Sequence, residues 1–132
     1  MNKTMVLMWI SFAVAALAAI AAAVGLAWGG GDGQHSFLTM RGAHVDLYGR
    51  GLYQYDSVVV GASNRGTDTI VLFFAVPVLT LSAILTAGGS LRGRLILMGT
   101  LAAFLYIYAS YAFGIAHNGL FLMYVAIFSL SL

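Results

Sequence analysis

A chain of 132 residues that is 61% hydrophobic and 8% charged is not an ordinary soluble domain, in which about a quarter of residues are charged, and it is long enough for only one domain. Six basic and four acidic residues leave a formal charge of +2, too small to indicate nucleic acid as a partner. Cysteine is absent, which excludes thiolate catalysis, disulfide exchange and thiolate metal sites.

The first uncharged stretch, Thr4–Trp28, matches the ~20 apolar residues needed to cross about 30 Å of hydrocarbon. It exceeds the 7–15 apolar residues of a cleaved signal peptide, so it reads as a retained helix over 4–28. Trp9 and Trp28 mark its two ends. Ala15, Ala19 and Ala23, beside Ala18 and Ala22, form a small-residue stripe of the kind that lets helices approach closely in lipid.

Gly29-Gly30-Gly31-Asp32-Gly33 ends this helix and begins a polar segment over 29–67. Val45-Asp46-Leu47-Tyr48 and Leu52-Tyr53-Gln54-Tyr55 flank Gly49-Arg50-Gly51, the pattern of a β-hairpin with a glycine turn. A lone hairpin is marginal in water, so Tyr53 and Tyr55 are expected to contact the helices or a partner. Gly49-x-Gly51 opens no helix and is a turn rather than a phosphate cradle.

A second helix is expected over 69–87, with Thr67 or Asp68 as its cap. Pro77 removes a hydrogen bond in mid-span, and Thr80 and Ser82 are positioned to satisfy the freed carbonyl. After the turn at Gly88-Gly89-Ser90, helices are expected over 95–115 and 120–132, separated by His117-Asn118-Gly119. The last has too few residues for a full crossing at 1.5 Å each, which suggests a truncated chain. Arg92 and Arg94 in a short loop, with Lys3, place the N-terminus and that loop in the cytoplasm and the 29–67 segment outside. The expected fold is thus an all-α membrane bundle of about four transmembrane helices with a short outward loop containing a β-hairpin.

Chemistry-bearing residues are few. Phe104, Tyr108 and Tyr111 share one face of the third helix, and Tyr106, Ser110, Phe113 and His117 another. Tyr106 and Tyr108 are expected to hydrogen-bond inside the bundle, with Tyr111 nearer an interfacial aromatic belt. No acidic residue is expected within the spans, and the residues of a proton relay or voltage sensor are missing. Gly61-Ala62-Ser63-Asn64 is a weak match to serine-hydrolase surroundings, with neither a base nor an oxyanion hole legible. His35, His44 and His117 match no metal spacing. One constellation stands out: Arg65, Asp68, His117 and Asn118 reach a common level, with Tyr53, Tyr55 and Asp56 available from the loop. Arg65 and Asp68 are expected to form an interfacial ion pair.

Leu105-Tyr106-Ile107-Tyr108-Ala109-Ser110-Tyr111-Ala112-Phe113-Gly114, Asn118-Gly119-Leu120-Phe121-Leu122 and Phe128-Ser129-Leu130-Ser131-Leu132, with Leu47-Tyr48-Gly49-Arg50-Gly51-Leu52-Tyr53 and Arg65-Gly66-Thr67-Asp68, resemble segments of an uncharacterised bacterial multi-spanning membrane protein family of unknown function. The resemblance implies a bacterial cytoplasmic membrane and supplies no catalytic residue and no cofactor. The expected role is a non-catalytic accessory or assembly component, with the lipid bilayer and either a second copy or another membrane protein as partners. The alternative is small-molecule binding or transport by an oligomer.

Overall fold

The computed structural model describes residues 2–132. Its first helix, α1 (Lys3–Ala27), starts at Asn2, whose side chain accepts from the Thr4 N–H. Ser11, Val14, Ala15, Ala18, Ala21, Ala22 and Gly25 are its buried residues. These positions repeat every seven residues, the spacing that keeps one narrow seam facing its neighbours along a left-handed crossing. Most of them are small, so neighbouring backbones come close. Ala15, Ala18 and Ala22 belong to the seam as expected, whereas Ala19 and Ala23 are half-buried beside it.

The hairpin forms from a different pair of segments than the sequence predicts. β1 (His35–Leu38) pairs antiparallel with β2 (His44–Leu47), with Phe37 opposite Val45, across a turn containing Gly42 at φ +78°. Leu52–Tyr55 is no strand: Gly51–Tyr53 makes a single 3-10 turn. The reason lies in the backbone around it. Gly49 and Gly51 have φ of +65° and +59°, and Gly49 N–H donates to the Gln54 carbonyl while Tyr48 N–H donates to that of Asp56. The chain therefore curls back after β2 instead of extending.

Helix α2 (Val58–Ile70) begins ten residues before the expected start near Asp68, with Ser57 rather than Thr67 or Asp68 as the cap. It runs through a π-helical turn (Val71–Ala75) into α3 (Val76–Ala87), a continuous rod of 30 residues. Pro77 follows the wide turn directly within this rod, so its missing N–H falls where the hydrogen-bond ladder is already shifted. Thr80 and Ser82 do not serve the carbonyl Pro77 would have paired with; their hydroxyls donate to Val76 and Leu79 carbonyls.

After Gly88, α4 (Leu91–Gly114) starts at Ser90, which accepts from the Gly93 N–H at 3.1 Å. The last helix is α5 (Phe121–Ser131). α1 packs against α2, α3 and α5, and α4 packs between α3 and α5. Their shared core includes Val14, Ala18, Ala22, Leu79, Ala83, Leu97, Phe104 and Ile127. The outside of the bundle carries Trp9, Ile20, Phe73, Phe74, Leu81, Met98 and Phe113, all exposed. Three helices, Lys3–Ala27, Val58–Ala87 and Leu91–Gly114, are long and apolar enough to cross a membrane, and Phe121–Ser131 is a shorter apolar one. The result is an all-α bundle with a small hairpin, in which residues 28–57 cap the end where α1 finishes and α2 begins.

Candidate functional site

Three helix ends and the upper part of the α2 rod converge beneath the cap. Gly25 lies in the last turn of α1, Tyr111 in the last turn of α4, Tyr124 in the first turn of α5 and Asp68 near the end of α2. Gly61, Asn64, Asp68 and Val71 are buried along the α2 rod. Their spacing of three or four residues brings them onto one helical face. Helix α2 thus turns a polar stripe inward.

Asp68 is 1% exposed and lies inside the Val58–Ala87 helix rather than at the start of one. A carboxyl group here must have partners. Tyr53, carried down from the cap by the 3-10 turn, donates to Asp68 Oδ2 at 2.6 Å. Tyr111 Oη lies 3.1 Å from Asp68 Oδ1 and 3.0 Å from the Asn64 carbonyl, and its single proton serves one of them at a time. Both oxygens of Asp68 are therefore met by phenols from two other parts of the chain. Close approach of α1 makes room for this: a Cβ at Gly25 would collide with the Asp68 carboxylate.

The phenols also pack on one another. Tyr53 and Tyr111 meet edge-to-face at 6.2 Å, Tyr111 and Tyr124 at 5.2 Å, and Tyr108 and Tyr111 at 5.7 Å, distances at which aromatic pairs attract. Burial, followed by the nearby Tyr111 and Asp68, holds the Tyr53 phenol above its ordinary value of 10.0, so it stays a hydrogen-bond donor at neutral pH.

Asp56 ties the cap to the opposite side of the bundle, accepting at Oδ1 from the Ala116 N–H at 2.8 Å just beyond α4. Burial raises its carboxyl above the ordinary value of 3.8, and the Ala116 hydrogen bond only partly opposes this. Arg65 does not pair with Asp68 as expected. Its Nη2 donates at 3.1 Å to the Leu26 carbonyl at the end of α1, where a cation suits the negative pole of the helix. The physical cause is the helical path of α2, which turns Asp68 into the bundle and leaves Arg65 half-buried near its edge.

The other candidate residues divide. Tyr108 is 1% exposed and its hydroxyl lies 3.5 Å from the Ala18 carbonyl, inside the bundle as expected. Tyr106 is 76% exposed, contrary to expectation, because it sits two residues, about 200° of helical rotation, from Tyr108. Tyr111 replaces it as an internal hydrogen-bonding tyrosine and was missed as a site residue. Its spacing from Phe104 and Tyr108 was the available signal. Tyr55, His117 and Asn118 share a shallow cavity of about 150 Å³ with Trp28 and Leu52. There His117 is exposed, its ring tilted against that of Phe121 with centroids 5.1 Å apart, and Asn118 Oδ1 accepts from the Leu120 N–H.

Among the described residues, four buried polar atoms have no hydrogen-bond partner: Asp56 Oδ2, Asn64 Nδ2, Asn118 Nδ2 and Tyr124 Oη. They include donors and acceptors, and all belong to residues at the capped end. Among the described residues, no group of three or more His, Asp or Glu side chains is placed to hold a metal ion. Comparison with protein families, with curated proteins and with solved structures finds no match to this chain.

Proposed function

We propose that this protein is a non-catalytic component of a membrane assembly, working through helix–helix contacts and through its extramembrane cap. The observation that carries this reading is how the chemistry-bearing side chains are used. Tyr53, Asp56, Arg65, Asp68 and Tyr111 each make a hydrogen bond that fastens the cap and the helices together. The same cap leaves β1 exposed on all four residues and presents Phe37, Leu38 and Met40 to the outside. A hairpin held on the helices and carrying exposed apolar side chains along β1 suits contact with a second copy or another membrane protein.

The proposed setting is a bacterial cytoplasmic membrane with the N-terminus and the Gly88–Ser90 turn in the cytoplasm. Arg92 and Arg94, in the first turn of α4 beside that short connection, support the orientation. Because the chain has no cysteine, a single cysteine at Gly89 tests it directly: protection from a membrane-impermeant label in intact cells is expected, and labelling from outside refutes it. For the assembly reading, a photo-crosslinker at Phe37 should give a discrete adduct in membranes, and the detergent-purified protein should run as an oligomer or with a partner. A clean monomer with no adduct refutes it.

The second reading, binding of a small polar molecule, is favoured by the four partnerless buried atoms at the capped end, since such groups normally find a partner. Substrate uptake in proteoliposomes that is insensitive to Tyr124→Phe and Asn118→Ala would remove it.

A further inference from the structure

We infer that the cleft between the end of α1 and the glycine strands of the cap binds a zwitterionic phosphate ester of the phosphoethanolamine type. The cleft encloses about 400 Å³ and is walled by Gly29–Gly33 and Gly51, with Arg50, Arg65 and Asp32 as its charged residues.

The wall is built rather than incidental. Gly33 N–H donates to the Gly49 carbonyl and Gly51 N–H to that of Gly30, both at 2.9 Å, lacing the two glycine strands together. A Cβ at Gly31 would strike the Gly49 carbonyl, and one at Gly51 would come within 2.6 Å of the Trp28 carbonyl. Only glycine permits this packing. The amides of Gly29, Gly30 and Gly31 donate to no carbonyl of the chain among the described residues.

Its electrostatics call for both signs of charge in one ligand. Arg50 is exposed, and Arg65 uses Nη2 on Leu26, leaving most of its five N–H donors free for phosphate oxygens. The exposed Asp32 carboxylate lines the same cleft, as does the end of α1, whose negative pole Arg65 meets at the Leu26 carbonyl only. A bare phosphate would face Asp32 and that pole, and a simple cation would face two guanidinium groups. A phosphate bearing an ammonium group satisfies all four. Trp28, 57% exposed and lining the same cleft, is the kind of residue that sits at headgroup level, so a phospholipid is the nearest source of this chemistry.

The test uses the full chain in detergent micelles, titrated with phosphatidylethanolamine, phosphatidylglycerol or free O-phosphoethanolamine and read by native mass spectrometry and thermal stabilisation. Phosphatidylethanolamine should bind one per chain, roughly tenfold tighter than phosphatidylglycerol. Arg50→Gln should weaken it by roughly tenfold, and Asp32→Asn should abolish the preference between the two lipids. Arg41→Gln, on the hairpin turn outside the cleft, should change nothing. Binding of free O-phosphoethanolamine at similar strength supports the same chemistry from a soluble source. Unchanged binding by a folded Arg50→Gln protein, or tighter binding of phosphatidylglycerol by the unsubstituted chain, overturns the inference. Neither result bears on whether the hairpin meets a protein partner.

Discussion

Gly25→Ala is the sharpest probe of the capped end, because one methyl group must displace a hydrogen-bonded carboxyl group. The new Cβ would overlap Asp68 Oδ2 and lie 3.1 Å from Tyr53 Oη. Overfilling a packed site costs about 1–3 kcal/mol. Losing the Tyr53–Asp68 hydrogen bond adds about 1 kcal/mol at the values measured for hydrogen bonds within membrane proteins. Replacing a helical glycine by alanine returns about 1 kcal/mol, so the net loss should be about 2 kcal/mol. Reversible unfolding in mixed micelles measures it. The reasoning is specific about the obstacle, so it also predicts relief: in an Asp68→Ala background, Gly25→Ala should cost less than about 0.5 kcal/mol, because the colliding group is gone and only the phenol of Tyr53 must adjust. Equal costs in the two backgrounds would refute the proposed contact.

Two tyrosines in the second half of α4 should respond unequally. Tyr111→Phe removes the hydroxyl beside Asp68 and Asn64 and should cost about 1 kcal/mol in the same assay, whereas Tyr106→Phe, on the outside, should stay within about 0.5 kcal/mol. Burial raises the Asp56 carboxyl above its ordinary 3.8, so over that interval the folded chain holds a proton the unfolded chain has released. Stability contributed at this position must then fall as pH rises through the interval. Asp56→Asn keeps an acceptor for Ala116 and cannot ionise, so the stability of the unsubstituted chain relative to this variant should decline from pH 4 upward; a flat difference would refute it. Gly49→Ala drives a Cβ into the Gly33 carbonyl at a φ of +65°. It should speed proteolysis within residues 28–57 while helix content by circular dichroism is retained.

The sequence was most legible where one property dominates. Long uncharged runs locate α1, α4 and the α3 half of the second rod, because hydrocarbon tolerates little else. It was least legible at α2. Gly61, Ser63, Asn64, Gly66, Thr67 and Asp68 look like a loop by hydropathy, yet Gly61, Asn64, Asp68 and Val71 carry a helical period with its polar side turned inward. Reading that period, with Ser57 as cap, would have found the helix and placed Asp68 inside the bundle. The hairpin failed for another reason. Val45–Leu47 has a strand-forming pattern, but its partner is chosen by glycines in left-handed conformations, and composition does not distinguish a glycine that reverses a hairpin from one that curls the chain away. Tyr106 and Tyr108 show the same lesson at single-residue scale: neighbours in sequence, they face opposite ways, and only the face shared with Phe104 leads inward.

The wide turn at Val71–Ala75 fixes how the two halves of its rod are clocked against each other. Excising one residue there would restore regular coiling but swing everything above it by about 100° relative to Leu79 and Ala83. Asp68 would then swing away from its two phenols while the lower half kept its fit. Length variation in this rod is therefore confined: a single-residue deletion in the turn should be far more damaging than the same deletion in the exposed Thr39–Ala43 turn, although it removes no side chain that touches Asp68.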